Sequence, residues 1–309
     1  MKKKFLLPAA SAMALAAGAA HAQSNVTIYG FVDQAVGKNT GQTGKHVLDS
    51  TGSRLGFKGE EDLGDGLKAS FLLEQRFTPQ TGEAATPFFK GGSWVALGGS
   101  FGKVTAGRWW TQAFLKSEFA SDPFGMGTVG ESFGTVGCGG PGGCVGAFWL
   151  DNSVSYEFSS GGFSGGVQAS PETGMGRPWN IGLSYSMGGL YLGYGHENTG
   201  VNDAKWDHAT VNYDFGVAKL ITGYGTGRDA LGDSRRNLIV GFTAPAGPTG
   251  FLIGSYNQHK EAGETVQSKL SLGYQYYLSK RTKLFTTVTN DTKVATAKTG
   301  FDVGVLHSW

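Results

Sequence analysis

Apolar and polar residues alternate along this chain in segments of about ten, separated by turns. Trp179, Ile181, Leu183, Tyr185 and Met187 are large and lipid-compatible, with Asn180, Gly182, Ser184 and Ser186 between them. Leu270, Leu272, Tyr274, Tyr276 and Leu278 repeat the pattern around Ser271, Gly273 and Gln275. Side chains in a strand point to opposite faces in turn, so each segment has one oily face and one wet face. Sixteen such segments run along the chain, opening at 25–37, 53–60 and 67–77 and closing at 268–278, 282–291 and 300–309.

The connections alternate in size. Ser100-Phe101-Gly102, Gly161-Gly162, Gly188-Gly189, Phe215-Gly216 and Ser279 to Arg281 read as tight hairpin turns. The stretches 38–52, 78–91, 171–178, 199–206, 227–234, 260–267 and 292–299 are longer and polar. Short turns at one end and long loops at the other characterise transmembrane barrels, and an even strand count brings both termini to the short-turn end. The pattern therefore predicts an all-β fold, a sixteen-stranded antiparallel transmembrane β-barrel.

Residues 1–22 read as a separate export signal. Lys2, Lys3 and Lys4 precede an Ala-rich apolar stretch that ends on Ala20-His21-Ala22, an A-x-A cleavage pattern. Removing it leaves 23 basic against 24 acidic residues, so the formal charge of +2 becomes −1. So even a balance supports neither nucleic-acid binding nor a basic membrane-surface patch. Beyond residue 22 no stretch approaches the roughly 18–20 apolar residues that a spanning helix needs. A closed barrel still spans, because closure satisfies every backbone N–H and C=O. The 52 glycines and 38 aromatic residues suit tight turns and interfacial girdles. Residues 23–309 form one domain on this reading.

One connection breaks the rhythm. Residues 111–150 show no sustained alternation and carry Glu118, Asp122, Glu131 and both cysteines. A long structureless segment in a compact domain is functional or disordered. The lumen of so large a barrel is too wide for wall side chains to fill, so the natural role is a loop folded inward as a constriction. An exposed surface loop is the alternative. Cys138 and Cys144, in C-G-G-P-G-G-C, point to a disulfide in an exported chain, and no histidine nearby favours a metal.

Several runs carry a resemblance. Val26-Thr27-Ile28-Tyr29-Gly30-Phe31-Val32-Asp33 resembles the first strand of Gram-negative general porins of the β-proteobacterial type. The run from Ser53-Arg54-Leu55-Gly56-Phe57 through Leu67-Lys68-Ala69 is the most specific match, and Leu97 through Arg108 is a third. The ending Gly304-Val305-Leu306-His307-Ser308-Trp309 is similar to the family's last strand, with Trp309 where Phe is usual. The resemblance implies a homotrimer in the outer membrane whose third loop folds into the pore. It also implies a row of wall arginines, Arg54, Arg76 and Arg108, facing acids of the loop: Glu118, Asp122 and Glu131.

Strand parity adds to this. Leu55 and Phe57 share a lipid face, which turns Arg54 and Lys58 inward; Phe71 and Leu73 do the same for Glu74 and Arg76. A charge facing lipid would cost about 2–4 kcal/mol at mid-membrane. Arg108 shares the register of Val104 and Ala106, so its place rests on the motif. Ser155 and an inward Glu157 depart from the family pattern by subtracting positive charge from the wall.

Other signals carry little. Gly162-Phe163-Ser164-Gly165-Gly166 fits G-x-S-x-G but lies in a hairpin, and Gly125 to Gly130 fits G-x-G-x-x-G without a preceding Rossmann strand. His46, His196, His208, His259 and His307 lack metal-ligand spacing. No cofactor, metal or catalytic residue follows. The expected function is a water-filled channel for ions and small hydrophilic solutes, working by size and by a field across the constriction. A porin specific for sugars (along Trp109-Trp110 and Tyr29) or for organic anions stays open; the long inward loop argues against a barrel hydrolase, and a soluble β-sandwich fails on the number of strands with aromatic outer faces.

Overall fold

The computed structural model describes residues 25–138, 143–171 and 176–309. The export signal expected over 1–22 and residues 139–142 of the cysteine loop lie outside them.

Sixteen strands form the wall. They are β1 (Asn25–Lys38), β2 (Arg54–Gly64), β3 (Leu67–Thr78), β4 (Gly92–Gly99), β5 (Gly102–Trp110), β6 (Trp149–Ser160), β7 (Phe163–Ala169) and β8 (Trp179–Met187). The second half comprises β9 (Leu190–Asn198), β10 (Lys205–Asp214), β11 (Lys219–Arg228), β12 (Ser234–Pro245), β13 (Gly250–Glu261), β14 (Glu264–Tyr277), β15 (Thr282–Asp291) and β16 (Thr299–Ser308). Each pairs antiparallel with its chain neighbours. The sheet closes where β1 meets β16, from Phe31 opposite Ser308 to Lys38 opposite Phe301. Closure leaves no edge strand to attract another chain. No helix among the described residues is long and apolar enough to cross a membrane; the strands do the crossing.

The sidedness is that of a soluble protein turned inside out. On β14, Leu270 is 63% exposed and Leu272 lies open beside it, while Lys269 and Ser271 are buried. On β12, Leu238, Val240 and Phe242 face out and Asn237 faces in. Asn212, Asn257, Thr287 and Thr289 are likewise buried. Apolar surface on this scale needs a hydrocarbon neighbour.

One loop expectation is corrected. The stretch 260–267 is no loop: β13 runs to Glu261, β14 starts at Glu264, and a two-residue turn joins them. Ala262 (φ 47°) and Gly263 (φ 88°) both take the left-handed conformation that such a turn requires. Here the strands continue past the apolar band into water, where neither face needs to be oily and the alternation fades.

Residues 111–138 and 143–148 run along the inner wall, held by side chains of the inward row. Asn180 of β8 accepts from the Gln112 amide (2.7 Å), and Tyr191 of β9 donates to the Lys116 carbonyl (2.7 Å). Ser117 meets His208 of β10 at 2.8 Å, and Asn212 donates to the Ala120 carbonyl at 2.8 Å. Asp302 of β16 accepts from the Val129 amide at 2.8 Å. Glycines make the bed for it: a Cβ on Gly182 would overlap the Gln112 carbonyl, and one on Gly193 the Lys116 carbonyl. Gly182→Val is therefore expected to push the segment off the wall, costing roughly 1–3 kcal/mol. The check is a lower temperature of unfolding together with an altered single-channel conductance. Cys138 and Cys144 are joined by a disulfide.

Candidate functional site

Arg54 of β2 and Arg76 of β3 stand directly opposite each other in the ladder. Two like charges so placed repel, and the structure supplies a bridge. The buried Glu74 carboxylate accepts from Arg76 Nε at 2.8 Å, lies 3.8 Å from the Arg54 guanidinium, and accepts the Tyr29 hydroxyl at 2.9 Å. Backbone carbonyls of the preceding loop take further donors: Arg54 reaches Thr51 (3.0 Å) and Gly52 (3.2 Å), and Arg76 reaches Gly52 (3.2 Å). Arg54 also lies over the Phe31 ring at 4.4 Å. Three charges held in one cluster leave a net positive unit on the wall.

These arginines line a cavity of about 890 Å³. Among the described residues, its lining holds six Lys or Arg side chains, namely Arg54, Arg76, Lys90, Lys280, Arg281 and Lys283, against two acids, Asp49 and Glu131. Burial raises the Glu131 carboxyl above the usual range, so it subtracts less than a full charge near neutrality. The excess is positive.

The expected site residues separate into two groups. Arg54, Arg76 and Glu131 come together around this cavity, with Glu74 behind the arginines. Lys58 stays on the same strand as Arg54 but turns to the Tyr29 ring, 5.2 Å away, and does not line the cavity. Arg108 does not line it either: its guanidinium pairs with Asp151, donates to the Lys90 carbonyl (2.9 Å) and lies 5.4 Å from the Trp149 ring. It stands opposite Ser93, in the row of Val104 and Ala106, and on its other side sits at a bulge where Asp151 and Asn152 together oppose it.

Two loop acids also turn away from the cavity. Asp122 is buried and collects the backbone N–H groups of Phe124 (3.0 Å), Met126 (2.9 Å) and Ser132 (3.1 Å). Glu118 is 0% exposed and neither of its oxygens meets a hydrogen-bond donor among the described residues. Burial, with the nearby Glu197 charge adding to it, holds the Glu118 carboxyl well above its ordinary value.

Glu157 is compensated. It lies 3.5 Å from Lys103 and 3.6 Å from Lys116, the latter on the inner segment, so its charge does not stand against the wall arginines.

A raised carboxyl binds its proton more tightly in the folded chain than in the unfolded one. Its stability contribution is therefore complete below the ordinary glutamate range and falls as pH climbs through the folded-state value. Asp49, Asp122 and Glu131 are also raised by burial and slope the same way. Glu118→Gln is expected to flatten the alkaline decline without removing it. Unfolding temperatures of both proteins across pH 5 to 9 check this.

Residues that strand parity offered but motif reasoning passed over include Lys269 and Lys283. Each alternates with apolar neighbours, Leu270 and Leu284. Lys269 donates to the Val129 (3.5 Å) and Glu131 carbonyls. Of the aromatic lining, Trp110 alone stands out in the sequence; Phe119, Phe133 and Trp149 carry no such signal. Trp110 stacks on Phe114 (4.7 Å) and on Trp149 (4.3 Å), whereas Trp109 packs edge-on against Trp94 (5.5 Å) and does not line the cavity.

Comparison with known proteins agrees with this architecture. Residues 9–296 match the sequence profile of the family described as Gram-negative porin. The outer membrane porin protein 32 of Delftia acidovorans is 33% identical over 312 aligned positions, spanning 92% of this chain and 88% of that protein. An outer membrane porin protein of Bordetella pertussis is 30% identical over 367 positions, spanning 92% of this chain and 93% of that protein. Among solved structures, an anion-selective porin from Comamonas acidovorans superposes with a TM-score of 0.78 at 27% identity, covering 93% of this chain and 100% of that one. These relatives are channels, not enzymes. A closed wall of sixteen strands, oily outside and polar within, and a match running over most of its length lead to one conclusion: the chain belongs to the Gram-negative porin family and forms an outer-membrane channel for passive diffusion.

Proposed function

We propose that the channel favours anions and filters them at a constriction between Arg54 and Arg76 on the wall and the inward-lying residues 111–138 and 143–148. The observation that carries this reading is the lining of the cavity, six basic side chains against two acids. In a narrow aqueous gap with low-dielectric walls, such an excess raises the local concentration of counterions and repels cations. The anion-selective porin from Comamonas acidovorans lends support by likeness of fold. Ions and small polar solutes pass without a conformational cycle or energy source.

The same reading has the chain exported by residues 1–22 and working as a homotrimer in outer-membrane lipid, as the general porins it resembles do. Organic anions fit better than sugars as specific solutes, because the Trp110 ring is already stacked on Phe114 and Trp149. Hydrolysis has no support: the Ser164 hydroxyl meets Ser159 across a hairpin, at 2.9 Å.

The test is the reversal potential of the reconstituted mature protein in planar lipid under a potassium chloride gradient. A potential of the chloride sign is expected. One of the potassium sign overturns the reading.

A further inference from the structure

The wall side of the cavity presents guanidinium groups; the loop side presents phenyl rings. Phe119 is 47% exposed and Phe133 41% exposed, and both line the cavity with Arg54 and Arg76. This exposure is selective. The same segment buries Phe114 (3%), Ala113 and Val136, so apolar side chains with a packing role are already covered. Each open ring rests on a second one, Phe119 on Phe114 at 5.6 Å and Phe133 edge-on to Phe148 at 5.7 Å. The loop face is thus aromatic and two rings deep.

Hydrated chloride gains nothing from such a surface. A solute with a carboxylate at one end and a benzene ring at the other gains on both sides of the gap. Its anionic end meets the guanidinium groups, and its ring covers Phe119 and Phe133, whose faces and edges favour another ring in an offset or edge-on arrangement. An aliphatic carboxylate of similar size gains only the area term.

We propose that the channel carries a binding site for arylcarboxylates, formed by Arg54 and Arg76 on the wall and Phe119 and Phe133 on the loop. The proposal rests on the anion-channel reading above and names the solute class that reading leaves general.

The experiment holds potassium chloride constant across a planar bilayer containing the protein. Benzoate, cyclohexanecarboxylate and acetate are then titrated separately near neutral pH, and the concentration that halves the chloride current is recorded for each. Benzoate is expected to act at a concentration about two- to tenfold lower than cyclohexanecarboxylate, the range that an aromatic pair supplies beyond area, and acetate at the highest. In Phe119→Leu/Phe133→Leu, which keeps apolar bulk and removes both rings, the benzoate-to-cyclohexanecarboxylate ratio is expected to fall to near one. The ratio is taken within each protein, so a change in open conductance divides out. A ratio near one in the unmodified channel overturns the site, even if the double variant does not fold. A ratio that survives the double substitution overturns it as well. Absence of any current in the unmodified protein would instead refute the channel reading.

Discussion

Arg54→Gln/Arg76→Gln is expected to abolish the preference for chloride, with the chloride-to-potassium permeability ratio falling by about tenfold, the scale on which a focused field enriches counterions. The pair shares one acid, so the double change removes two positive charges and leaves Glu74 with only the Tyr29 hydroxyl. The local charge passes from positive to negative. Glu74→Gln moves the other way: it frees both guanidinium groups, strengthens chloride preference, and destabilises the wall because Arg54 and Arg76 then face each other uncompensated. Reversal potentials of the three proteins in the same salt gradient check the order. If the double variant matches the unmodified channel, selectivity lies elsewhere, at Lys280, Arg281 and Lys283.

Asp122→Ala has the largest expected effect on structure. Its carboxylate gathers the amides of Phe124, Met126 and Ser132 within one buried turn. Removing it leaves three backbone donors without an acceptor, a loss on the order of 3 kcal/mol or more confined to the inner segment. The barrel ladder is untouched, so the strands persist while the segment loosens. Limited proteolysis is expected to cut within 111–138 in the variant alone, and its single-channel current to become larger and noisier. Unchanged proteolysis and current would show that Asp122 is dispensable.

The wall was legible because two solvents act on it. Lipid outside and water inside impose a period of two, and Leu270 and Lys269 obey it side by side. Where only water remains, as at Glu264 to Gln267, the strand continues without the pattern and reads as loop. Arg54 and Arg76 were legible because parity and motif agree. Arg108 was not, because its neighbours across the bulge at Asp151 and Asn152 give it partners that no period reveals. The inner segment was legible only as an interruption. Its acids read alike in sequence, yet Glu131 lines the cavity, Asp122 ties the backbone and Glu118 is sealed away. Those fates depend on contacts with β9, β10, β14 and β16, which no local pattern encodes. Phe119 and Phe133 were hidden for the same reason.

The anchors of the inner segment also bear on how the molecule is built. Val129 is tied to Asp302, 173 positions later, and its carbonyl to Lys269, 140 positions later. Contacts so distant along the chain form late, after the entropy of closing the intervening length has been overcome. The segment is synthesised before any of the strands that supply these anchors, β8, β9, β10, β14 and β16. The bore itself is enclosed only when β16 pairs with β1, and the Asp302 anchor of Val129 arrives on that same last strand.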